Sequence, residues 1–162
     1  MRKSVLIGIT YALLTVSAHA SDTVVGKQAE THGFKTCSPT ADKLAKFIGK
    51  DNEYTSYATW GKNKPDIRLF NSQIGVKYKD GNSVAIMNVA PTKDGKCDSS
   101  YTTIFPSATS CSVLRETELK DWKFFGDSAG LIALENQSHT ISLILLPAGA
   151  GCVTIKTEVV YD

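Results

Sequence analysis

The clearest hydrophobic pattern in the chain lies in residues 140–162, TISLILLPAGAGCVTIKTEVVYD. Ile141, Leu143, Ile144, Leu145 and Leu146 fall within six residues, a density that suits a strand covered on both faces. A Gly-rich turn follows at 147–151. Beyond it, Val153, Ile155, Thr157, Val159 and Tyr161 alternate with Thr154, Lys156 and Glu158. Period-two alternation of β-branched residues marks a half-buried strand. The pair predicts a β-hairpin at the heart of an antiparallel sheet.

Upstream, short alternating segments are broken by turn residues. Residues 67–70 and 74–78 alternate, and Lys79-Asp80-Gly81-Asn82 supplies an Asp-Gly hairpin turn before the return at 83–89. Further strands are expected at 100–105, 111–115, 122–125 and 131–134, with loops or turns at 91–95, 106–107, 127–130 and 135–139. Residues 117–121 read as a short turn or helix. Helical periodicity is confined to one stretch. Ser38 or Thr40 caps it, Pro39 fits a first helical position, Leu44, Phe47 and Ile48 form an i, i+3, i+4 stripe, and Gly49 stops it. The fold class predicted is β-rich α+β: an antiparallel meander, sandwich or partly open barrel with one short N-terminal helix.

Residues 51–66 are less regular, with Tyr54, Tyr57 and Trp60 at a spacing of three. They read either as a frayed helix or loop covering the core, or as an aromatic contact surface for a protein partner.

The first twenty residues, MRKSVLIGITYALLTVSAHA, have the parts of a secretory signal peptide: Arg2 and Lys3, an apolar run from Val5 to Val16, and Ala18-His19-Ala20 before the expected cleavage point. The apolar run is shorter than the roughly 20 residues that span a bilayer. Residues 21–36 read as a flexible polar lead-in, and 37–162 as a single domain. The chain carries 18 Lys and Arg against 16 Asp and Glu, so loss of Arg2 and Lys3 leaves an even balance. That removes the net positive charge a nucleic-acid partner would require.

Four cysteines, Cys37, Cys97, Cys111 and Cys152, follow the leader. An even count in an exported chain predicts two disulfides. Three pairings are possible. The strand assignments favour Cys97–Cys111 across one hairpin and Cys37–Cys152 joining the helix to the C-terminal hairpin. A zinc site is disfavoured, because no two cysteines stand in a C-x-x-C pair.

Gly126-Asp127-Ser128-Ala129-Gly130 satisfies G-x-S-x-G. It resembles the nucleophile elbow of α/β-hydrolases and the serine motif of trypsin-like proteases. The resemblance covers five residues and implies Ser128 as nucleophile, with His139 the one histidine after it. The elbow requires a helix after the serine, yet 131–134 reads as extended, and the same residue types build a plain tight turn. His32 and His139 carry no metal-ligand spacing, the acidic residues are scattered singly, and Gly149-Ala150-Gly151 precedes no helix that would cradle a phosphate. No cofactor, no metal and no catalytic residue are therefore expected.

The function expected is that of an exported, periplasmic, non-enzymatic binding protein. Its class would be an inhibitor or immunity-type protein that neutralises a secreted or cell-wall-degrading enzyme, with Tyr54, Tyr57 and Trp60 as partner-binding residues. Two alternatives remain: a small serine hydrolase using Ser128 and His139, and a structural subunit of an envelope assembly or adhesin.

Overall fold

The computed structural model describes residues 21–162; the leader expected at 1–20 lies outside the described residues. Three helices, α1 (Val24–Thr31), α2 (Ser38–Gly49) and α3 (Cys111–Glu116), accompany eight strands. The strands are β1 (Glu53–Trp60), β2 (Phe70–Tyr78), β3 (Gly81–Pro91), β4 (Cys97–Ser107), β5 (Lys123–Ser128), β6 (Leu131–Glu135), β7 (Ile141–Ala148) and β8 (Gly151–Val160). They form one open antiparallel sheet in the order β1-β2-β3-β4-β8-β7-β6-β5. The β-rich α+β expectation is met by an open sheet rather than a barrel or sandwich.

The helices all pack on one face. Under α1 and α2 lie Phe70, Ile74, Met87 and Val89, fully buried with Val25, Ala29, Phe34 and Ala45. The smaller core beneath α3 holds Leu114, Leu134, Leu143 and Leu145, with Leu119, Trp122 and Ile132 packed against it.

Two halves of the chain repeat one plan. In each, a helix leads into a four-stranded meander, α2 into β1–β4 and α3 into β5–β8, and the halves meet where β4 pairs with β8. The disulfides repeat as well. Cys37, which caps α2, bonds Cys97 at the start of β4; Cys111, which begins α3, bonds Cys152 at the start of β8. Matching Cys97 with Cys152 offsets the two strands by 55 positions, and the same offset carries Thr102 onto Thr157. Those two threonines face each other in register, with Oγ1 atoms 2.8 Å apart and hydrogen bonded. A local two-fold axis therefore runs through that pair. On the helix face, Met87 and Val89 of β3 find their counterparts in Leu143 and Leu145 of β7, all four buried.

Several expectations are corrected. Residues 67–69, expected in a strand, belong to a connection with a 3-10 turn at Pro65–Ile67, and 106–107, expected as a turn, continue β4. Cys37, not Ser38 or Thr40, holds the N-cap position of α2. The pairing is Cys37–Cys97 and Cys111–Cys152, not Cys97–Cys111 and Cys37–Cys152. Each bond staples a helix to its own half of the sheet, because each cysteine pair belongs to one repeat. The segment 111–115 is helical, since Cys111 and Leu114, three apart, both turn onto the sheet. The polar stretch 21–36 contains α1. The Thr23 hydroxyl accepts from Gly26 N–H at 2.9 Å, and Asp42 Oδ1 accepts from Thr23 N–H at 2.8 Å, which locks α1 onto α2. Residues 53–60 form an edge strand, neither helix nor loop.

Candidate functional site

Among the described residues, no element covers the face opposite the helices. Its character follows from register. Val84, Ile104, Ile155, Ile144 and Ala133 form one row across β3, β4, β8, β7 and β6. Beside it runs a row of Tyr57, Gln73, Ile86, Thr102, Thr157 and Ser142. Val84 is 45% exposed, and Leu146 and Val159, which also point this way, are 39% and 43% exposed. Charge is pushed to the margins: Glu53 and Lys77 pair at the β1 edge, and Lys123 bonds Glu135 at 3.1 Å near the other edge.

Near β5 the face is hollowed. Phe125, Ala133, Glu135, Ser142 and Ile144 line a depression of about 520 Å³. The strand is irregular there, between Phe124 and Gly126, which leaves Phe125 73% exposed. Bulges of this kind re-aim a side chain at a sheet edge.

The orientation of β8 reverses a natural reading of its pattern. Val153, Ile155, Thr157 and Val159 face the open side, while Lys156 and Glu158 lie on the helix side. Tyr101, buried there, donates its hydroxyl to Glu158 Oε2 at 2.6 Å, and the Lys156 ammonium stands over the Tyr101 ring at 6.0 Å. Burial and the neighbouring Glu158 carboxylate push the Tyr101 phenol well above its ordinary value. β7 is likewise covered on one face only. Leu143 and Leu145 are buried, whereas Ile144 and Leu146 look outward.

The three aromatic residues expected to bind a partner are divided between the faces. Tyr54 packs towards the core, and Trp60 stacks on His32 with ring centroids 3.5 Å apart. Tyr57 alone of the three points to the open side, 76% exposed. A spacing of three puts neighbours on one side of a helix but on opposite sides of a strand.

Ser128 ends β5, and the chain reverses through Ala129 and Gly130 at φ of 56° and 80°. Both angles lie in the left-handed region that a two-residue hairpin turn demands, which accounts for the Gly at that point. His139 lies beyond the far end of β6, a strand of five residues and so roughly 16 Å long. Its Nδ1 bonds Glu135 at 2.8 Å. That contact, followed by Lys123, holds the Glu135 carboxyl below its ordinary value. The backbone thus sets positions 128 and 139 at opposite ends of β6. Among the described residues no group of three or more His, Cys, Asp or Glu side chains converges as a metal site would.

A second concavity, about 370 Å³, lies on the helix side between α2 and the β4–β8 seam, where Lys43, Phe47, Tyr101 and Glu158 meet. Of its polar groups, Tyr101 and Glu158 are bonded to each other.

Comparison with protein-family models, with curated proteins and with solved structures gave no match in any of the three.

Proposed function

We propose that the chain is an exported, non-enzymatic binding protein of the inhibitor or immunity class, and that it holds a protein partner against the open face of its sheet. One observation carries this reading: an uncovered face whose central rows are uncharged and partly apolar. Interfaces are depleted of charge at their centre, and large exposed apolar patches mark protein contacts. Size agrees with the role. Eight strands at about 4.8 Å spacing, each some eight residues long, give a face of roughly 34 by 26 Å, close to the ~800 Å² per partner of a standard interface.

Two disulfides and the signal-like leader support passage to an oxidising compartment, the periplasm or beyond. Among the described residues no helix is long and apolar enough to cross a membrane. The partner's class, a secreted or cell-wall-degrading enzyme, rests on the role such small exported modules take and is an analogy of class.

The test is recovery of the partner from the native host's envelope, followed by assay of that partner's hydrolytic activity with and without the purified protein. Stoichiometric inhibition is expected. A recovered assembly subunit, with no hydrolase, would favour a structural role instead. The purified protein should also show no turnover on esters or peptidoglycan. Activity that disappears on Ser128→Ala would replace the binding reading with hydrolysis.

A further inference from the structure

The two-fold repeat is broken most visibly at one connection. In the second half, β5 turns into β6 through Ala129 and Gly130 alone, whereas in the first half nine residues, 61–69, separate β1 from β2. The insertion is held from beneath. Asp66 Oδ1 accepts from the Lys35 and Thr36 backbone N–H groups at 2.7 and 2.6 Å, and its Oδ2 accepts from the Thr36 hydroxyl at 2.9 Å. Pro65–Ile67 forms a single 3-10 turn, entered through Lys64 at a left-handed φ of 52°. Fixing a loop in one conformation before contact lowers the ordering cost of binding.

What the anchored loop shows to solvent is unusual. Ile67 is 65% exposed and Leu69 54%. Lys62, Lys64 and Arg68 surround them, and none makes an ion pair among the described residues. The only acid in the loop, Asp66, is occupied by its bonds to Lys35 and Thr36. Leu69 also borders a shallow depression with Asn88, Ala90 and Val159, so the loop's apolar surface continues onto the open sheet face.

We propose that residues 61–69 form the segment that enters a cleft on the partner, and that this cleft has an apolar floor and a carboxylate-lined rim. This rests on the binding reading above and names the partner's chemistry. Ile67 fills the floor, while Lys62, Lys64 and Arg68 meet the acidic rim. Leu69 joins the insertion to the flat contact across the sheet. Charges at an interface rim act on encounter and specificity, so the pairing should be salt-sensitive.

Site-specific photo-crosslinking in native-host envelope extract tests it. Benzoylphenylalanine is placed singly at Ile67 in the loop, at Ile86 on the open face, or at Phe47, exposed on the helix side, as control. The proposal expects adducts from Ile67 and Ile86 to one protein. The peptide joined to position 67 should border Asp and Glu side chains. That adduct should fall about tenfold in ~0.5 M salt, where the screening length shrinks to a few ångströms. A similar tenfold loss is expected for Lys62→Glu with Arg68→Glu, and for Arg68→Glu alone should the double variant fail to fold by circular dichroism. Adducts from Ile86 but not Ile67, or a 67 adduct on a peptide without acidic neighbours, overturn the loop proposal and leave the binding reading standing. No adduct above the Phe47 control at either position overturns both.

The anchor has its own consequence. Burial alone would raise the Asp66 carboxyl, but the Thr36 backbone and hydroxyl bonds and those from Lys35 hold it below its ordinary value. A lowered acid pKa means the anchor is fully present above the unfolded-state value, near pH 4, and is lost as pH falls through the lower folded value. The Lys35 and Thr36 amides should therefore stay protected at pH 5 and lose protection, relative to the intrinsic exchange rate at each pH, only below about pH 4. Protection lost at pH 5 would contradict that anchoring.

Discussion

Replacing Gly151 with valine should destabilise the protein by about 3 kcal/mol or more, among the larger effects a single substitution produces. A Cβ on Gly151 would stand 2.2 Å from the Ser107 carbonyl oxygen, and that neighbour is backbone, not a flexible side-chain end. The contact lies beside the Ser107–Cys152 pair, where β4 and β8 join the two halves. The chain can accept the side chain only by opening the seam, which costs ladder hydrogen bonds and displaces Cys152 from beneath α3. Denaturant unfolding of the purified variant measures this. Gly126→Ala is the control, since no atom lies within 4 Å of its added Cβ. Equal stabilities for the two variants would mean that the seam is not the tight junction described.

Removing the Cys111–Cys152 bond by paired alanine substitution should cost about 4 kcal/mol by the chain-entropy account for its separation of 41 residues. At roughly 3 °C per kcal/mol for a domain of this size, the melting temperature falls by about 12 °C. Removing Cys37–Cys97, separation 60, predicts a similar figure from entropy alone. The halves should nevertheless respond differently. Under α1 and α2 a large core persists without its disulfide, whereas α3 is six residues long and covers only a few leucines. Hydrogen exchange should therefore show α3 and β5–β7 losing protection first in the Cys111/Cys152 variant, with β1–β3 still protected. Uniform loss across both halves would contradict the two-core description.

Much of the sheet was legible because its hairpins carry their own signals. Asp80-Gly81 placed the β2–β3 turn, and the alternation from 153 to 161 gave β8. Direction was harder to read. A strand with apolar residues at odd positions normally turns them inward, but β8 turns Ile155 and Val159 to the open face. The helix side accepts Lys156 and Glu158 there because Tyr101 engages both. α1 leaves little sequence signal, since an eight-residue helix with buried Val25 and Ala29 has barely one repeat of an apolar stripe. α3 is shorter still, and Val113 lends CSVLR a strand-like composition. The cysteine pairing depended on a repeat of architecture that the spacings of 60 and 41 residues conceal. The open face could have been found only by knowing which side the helices cover. Tyr57 was visible as a candidate from the start; its neighbours across the sheet were not.

The central claim is that the open face holds the partner, and Ile104 and Ile155 sit opposite each other at its middle. Both are only partly buried, so Ile104→Asp with Ile155→Asp should leave circular dichroism and the two disulfides intact. The most direct measurement is calorimetric titration of the partner recovered from the host envelope with wild-type protein and with this double variant. The expected result is a Kd weakened at least a hundredfold, as for loss of a central apolar contact together with burial of two unpaired carboxylates. An unchanged Kd in a folded double variant would contradict the account and place the contact elsewhere on the molecule.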